Sequence, residues 1–181
     1  YALGPGLIRL GDAATRRLSS WAMPALTRLG ELSQETANLA VLDGDMAAYV
    51  AQVPSQHQMR MFTEVGRRVF PHSTGVGKAL LAQLPDERVL EIVRRNGMPR
   101  FTPTTLTTEE TLLADLALIR QRGYAIDDGE QELGVRCYAV AVGGLAIPAA
   151  VSVSGPEVRL PYGAAGRALG EWAIRNWVRD H

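Results

Sequence analysis

Residues 122–156 read RGYAIDDGEQELGVRCYAVAVGGLAIPAAVSVSGP, the most informative stretch of the chain. Gly123 follows a helical pattern and stops it, because glycine alone enters the left-handed cap conformation at no steric cost. A short apolar strand, Gly123 to Ile126, leads into an acidic loop from Asp127 to Glu132. Two β-rich runs follow on either side of Gly143-Gly144, the second ending on Ser152-Val-Ser154-Gly-Pro156. Strands that carry an acid, a thiol and two hydroxyls near a turn suit a small polar pocket. They suit an ordinary hairpin with a polar rim equally well, so the neighbouring segments must decide.

Upstream, Thr107 and Glu110 form a capping-box pattern ahead of Leu112, Leu113, Leu116 and Ile119, which predicts a helix closed by Gly123. Pro85, then Val89, Leu90 and Val93, then Gly97 outline a short surface helix. Pro71 to Gln83, PHSTGVGKALLAQ, predicts another, capped by Ser73 or Thr74. Two nucleotide motifs fail here. His72 and Ala79 stand where a phosphate-binding P-loop needs glycine and Ser/Thr, and Leu80 replaces the third glycine of the dinucleotide fingerprint. What remains is a helix start whose amides, at Gly75 and Val76, are expected to point outward. Such a start attracts anions, and it is also how an ordinary capped helix begins.

Further back, Glu35 to Leu42 and Met46 to Val53 are β-prone runs around Asp43-Gly44-Asp45, a strong hairpin signal. Met59, Met61 and Thr63 alternate with Arg60 and Phe62, which predicts a third strand with both methionines on one face. At the N-terminus Leu7, Leu10, Ala14, Leu18 and Trp21 recur at helical spacing. Pro24 breaks or restarts that helix before Leu26, Leu29 and Leu32. An apolar stripe there fits a connector or dimerisation helix as well as a core helix. Leu169, Trp172, Ala173 and Trp177 place an apolar face on a last helix. The fold class is α+β, an antiparallel-rich sheet with helices on its faces.

A chain of 181 residues is one domain's length, with 46% hydrophobic and 21% charged residues and a net charge of zero. Zero charge gives no electrostatic footprint for a nucleic-acid backbone. The single cysteine, Cys137, leaves no internal disulfide and fits a reducing, cytoplasmic setting. No apolar run approaches the ~20 residues of a membrane span, so no membrane partner is expected.

The order of motifs resembles the effector-binding domain of the IclR family of bacterial transcriptional regulators, a GAF-like fold. The resemblance is carried by ETANLAVLDGD, VGRRVFPHSTGVGKALLA, IRQRGYAIDDGEQELGVRCYAVAV and AAVSVSGP, and covers roughly Leu3 to Leu160. It implies a ligand sensor without catalysis and without a cofactor. Tyr1 to Gly4 looks like the close of the family's winged helix-turn-helix, so residues 1–20 are expected to be the linker helix and 21–181 the sensing domain. Operator DNA would then be bound by a domain outside this chain. The resemblance also implies dimers or dimers of dimers, and a small organic acid as effector. Its ligand positions fall on Gly75, Val76, Asp127, Cys137, Ser152, Ser154 and Met61, while Gln58 stands where relatives are often apolar.

Such a site favours a carboxylate, since amides and paired hydroxyls donate to it. Asp127 would repel an anion unless protonated, and is expected to read a hydroxyl or keto-hydrate. The residues leave other chemistries open. Asp127, Cys137 and His72 are zinc-ligand types if they converge. Ser154, His72 and Asp127 are the types of a hydrolase triad, though no GxSxG elbow is present. Backbone bonding near a strand end would account for both serines, and burial for the thiol.

Overall fold

The computed structural model describes residues 4, 11, 13, 19–61 and 63–161. The helices expected around Leu7 to Leu18 and around Leu169 to Trp177 lie outside the described residues, as does most of the expected linker.

The first described helix, α1 (Met23–Ser33), holds Pro24 in its opening turn, where proline's missing N–H costs nothing. Leu26 and Leu29 are buried, whereas Leu32 faces solvent. Then β1 (Thr36–Asp43) and β2 (Met46–Val53) form the expected hairpin, closed by Gly44 at φ 61°. The third strand is not where the methionine alternation put it. Residues 54–61 form no strand, Met59 is 70% exposed, and Met61 is half-buried. The strand that pairs with β2 is instead β3 (Arg68–Val69), two residues long. A period of two over five residues arises without a strand when no neighbour offers a ladder. This segment is held from other directions, with Thr36 donating to the Met61 carbonyl and Arg159 to that of Met59.

A single 3-10 turn (Pro71–Ser73) precedes α2 (Gly75–Leu81), and α3 (Asp86–Asn96) and α4 (Glu109–Arg122) follow. Thr74 caps α2 by accepting from the Gly77 amide. The cap of α4 is Thr108, which accepts from the Thr111 amide, rather than Thr107, which accepts from Arg100. Gly123, at φ 84°, ends α4 as expected.

The strands β4 (Ala125–Asp128), β5 (Val135–Val142) and β6 (Ala149–Pro156) complete one six-stranded antiparallel sheet in the order β3-β2-β1-β6-β5-β4. Alternation divides its two faces. Ala37, Leu39, Val41, Tyr138, Val140, Val151 and Val153 pack with Leu26 and Leu29 of α1 on one side. On the other, Ala40, Ala125, Ala139 and Ala150 meet Val76, Ala79 and Leu80 of α2, backed by Val89 and Ile92 of α3 and Leu112 and Leu116 of α4. Alanine rows let a helix lie close to the sheet. Truncating Leu39, fully buried, would cost about 2–5 kcal/mol. The α+β architecture matches the sequence expectation.

Candidate ligand site

The alanine-rich face turns polar at one end. Register places Asp127 opposite Cys137, Cys137 opposite Ser154, and Ser154 opposite Thr36, one row across β4, β5, β6 and β1. Two residues along, Ala139, Ser152, Asn38 and Gln52 form the next row on the same face. Asn38 and Ser152 are fully buried, Ser154 and Asp127 nearly so. A buried row of this polarity needs internal partners, and part of it has them. The Asn38 amide donates to Ser152 Oγ at 3.4 Å and accepts from Gln52 at 3.4 Å. Thr36 accepts from the Ser55 amide and donates to the Met61 carbonyl at 3.0 Å, which brings Met61 to the end of the first row. Gln58 is exposed.

Helix α2 lies against this polar end of the sheet, the candidate cup. Every residue of α2 is buried, so its start does not face solvent as the sequence suggested. It faces the sheet: a Cβ on Gly75 would lie 2.7 Å from Cys137 Sγ, so only glycine permits the approach. Gly75 therefore stands beside the row that carries Asp127, Cys137 and Ser154. Of the residues expected from sequence, Gly75, Asp127, Cys137, Ser152 and Ser154 meet at one end of one face, whereas Val76 packs in the apolar core with Ala79 and Leu80, and Met61 joins only through its carbonyl.

Burial dominates the electrostatics here. It pushes the Cys137 thiol up to about 12, with the Asp127 charge adding to the rise and the Ser154 and Ser152 hydroxyls offsetting part of it. Tyr49, on β2, is pushed up by burial and then by Cys137 and Asp127. Asp127 itself is pushed up to about 7, by burial first and by Glu130 second. Its Oδ1 accepts from the Glu130 amide at 2.7 Å, the closing bond of the acidic loop.

Neither alternative chemistry finds its geometry. His72 is wholly buried, with Nε2 against the Pro99 carbonyl at 3.1 Å and Nδ1 without a partner among the described residues, so it activates no serine. Its ring stacks on Phe101, with Phe70 edge-on. Burial lowers its proton affinity. Among the described residues no group of three or more His, Cys, Asp or Glu side chains is placed to hold a metal ion.

Sequence reading missed Asn38, Thr36, Tyr49 and Lys78. Asn38 and Thr36 carried a usable signal, polar residues on one alternating face of an otherwise apolar strand. Lys78 carried none, because its partners, Asp115 and Glu130, are distant in the chain.

The family described as bacterial transcriptional regulator IclR C-terminal matches residues 13–180. The HTH-type transcriptional regulator BhcR of Paracoccus denitrificans is 41% identical over 164 residues, covering 88% of this chain and 59% of that protein. The HTH-type transcriptional repressor AllR of Escherichia coli is 39% identical over 166 residues, covering 88% and 60%. The chain thus spans about three fifths of the length of these relatives. Among solved structures, an IclR homolog from Microbacterium hydrocarbonoxydans complexed with 4-hydroxybenzoate superimposes with a TM-score of 0.81 at 25% identity, covering 97% of this chain and 74% of that one. These relatives are named as transcriptional regulators, not enzymes.

Proposed function

The chain belongs to the IclR C-terminal family of bacterial transcriptional regulators, and from that premise we propose that it senses a small carboxylate or related metabolite for a cytoplasmic DNA-binding protein. The observation that carries this reading is the buried polar row Asp127–Cys137–Ser154–Thr36, set against the glycine start of α2. Donors so placed suit an anion with a second polar group. Ser152, Ser154 and the Gly75 and Val76 amides serve its acid end, Asp127 its hydroxyl or keto end, and Cys137 and Met61 its flanks. The homolog bound to 4-hydroxybenzoate supports an acid of this kind, since that ligand has a carboxylate and a hydroxyl.

In the whole protein the ligand would bias how DNA-binding domains are held, which requires that it bind one arrangement more tightly than another. A homodimer or dimer of dimers reading a two-fold operator is the assembly that suits this role.

The test is a thermal-shift panel of carboxylic, keto and aromatic acids, with zinc as a separate arm. A ligand at ~100 times its Kd adds ~2.7 kcal/mol. A shift that Ser152→Ala abolishes without lowering the unliganded melting temperature supports the reading. A zinc response alone, or an acid response untouched by Ser152→Ala and Ser154→Ala, would refute it.

A further inference from the structure

Behind the cup lies a chain of ionisable side chains drawn from three elements. Lys78 of α2, 1% exposed, places its ammonium 2.5 Å from Glu130 Oε1 and 2.8 Å from Asp115 of α4. Glu130 faces Asp127 as well, donating its amide to Asp127 Oδ1. Its second carboxylate oxygen is buried without a partner among the described residues. The loop cannot swing away cheaply. Thr102 and Thr105 donate to the Glu130 carbonyl at 3.2 and 2.6 Å, and Thr102 and Thr104 to that of Gly129 at 2.6 and 2.8 Å.

Charge across this cluster does not balance. The one ammonium is shared by two carboxylates, and Arg122 reaches only the far side of Asp115, at 3.4 Å. Asp127 has no ion-pair partner among the described residues, and Glu130 is the charge that acts on it most. Lys78 attracts it too, more weakly. The other titratable groups turned toward it are the Cys137 thiol on β5 and the Tyr49 phenol on β2, both kept neutral by burial, with Arg67 acting on Tyr49.

Resting on the reading of this cup as the effector site, we propose that Glu130 is its specificity-determining residue. By engaging Lys78 it leaves Asp127 without an ion pair, so that the cup holds a proton on Asp127 and takes an anionic effector together with that proton. A protonated Asp127 donates to the ligand where its carboxylate would repel it. Burial and the Glu130 charge raise Asp127 to about 7, so anion affinity is present below neutrality and lost as pH rises through it.

The deciding measurement is an NMR titration of aspartate carboxyl carbons, with the Asp127 signal assigned from Asp127→Asn. Expected is a midpoint near neutrality in the unliganded protein, moved down by about one unit or more in Glu130→Gln, which removes the neighbouring charge and releases Lys78. A wild-type midpoint below 5 overturns the proposal even if the variant does not fold, and so does a midpoint that Glu130→Gln leaves in place. In a second arm, calorimetry of 4-hydroxybenzoate and acetate runs from pH 6 to 9. Affinity falling about tenfold per unit above the midpoint supports linkage to one proton, and affinity indifferent to pH overturns it. A neutral midpoint that Glu130→Gln lowers, in a protein that binds no acid of the panel, supports Glu130's control of Asp127 and refutes the effector reading alone.

Discussion

Gly75 lies so close to Cys137 that a methyl group on it would sit 2.7 Å from the thiol sulfur. The wall of the cup and its floor are thus in contact through a residue without a side chain. Gly75→Ala is expected to push the first turn of α2 off β5 and to destabilise the domain by about 1–3 kcal/mol in urea melts. Adding Cys137→Ala should recover part of that loss, because the sulfur is the atom in the way. Equal losses in the single and double variants would locate the strain in the backbone instead.

The raised carboxyl of Asp127 makes stability depend on pH in a definite direction. The unfolded chain releases this proton near ~3.9, whereas the folded protein holds it to about 7. The resulting stabilisation is complete below the unfolded value and is lost as pH rises through the folded one. Asparagine keeps the oxygen that accepts the Glu130 amide and has no proton to lose. Asp127→Asn should therefore gain on wild type between pH 4 and pH 7 and hold a constant lead above, on the order of a few kcal/mol. Paired urea melts across that range measure it, and a lead that shrinks with pH contradicts it.

Lys78 is held protonated by Glu130 and Asp115, whose attraction exceeds the opposing effect of burial. Lys78→Met would leave two carboxylates facing one another inside the fold, at a cost of about 3–5 kcal/mol. Removing the exposed Arg28–Glu31 pair should leave the melting temperature unchanged. Similar losses from both would mean that the burial of Lys78 is not what gives it weight.

The frame of the α4 cap can be tested directly. Thr108→Ala should cost about 1 kcal/mol, since it orphans the Thr111 amide, and Thr107→Ala only a few tenths. The reverse ranking would restore the capping box read from Thr107 and Glu110.

Where local chemistry decides the structure, the sequence was legible. Asp43-Gly44-Asp45 gave the β1–β2 hairpin, Gly123 the end of α4, and residues 122–156 the two strands that carry Cys137 and the serines. The candidate site's composition was suggested only by resemblance, because Asp127, Cys137 and Ser154 become neighbours through register, which no single strand encodes. The failures have the same origin. Met59 and Met61 alternate convincingly, but β2 finds its ladder with Arg68 and Val69, and a short alternation cannot name its partner. Nothing in the local sequence marks Lys78, because α4 and the acidic loop close over it only in the fold.

The pairing of β1 with β6 sets Asn38 beside Ser152, 114 residues later in the chain. Closing so long a loop is entropically costly and slow. A chain still emerging from the ribosome has no cup to offer before Ser154 is released, and a fragment cut short of β6 has none at all. Effector binding would then report not only the presence of a metabolite but also that β6 has been made and has found its place beside β1.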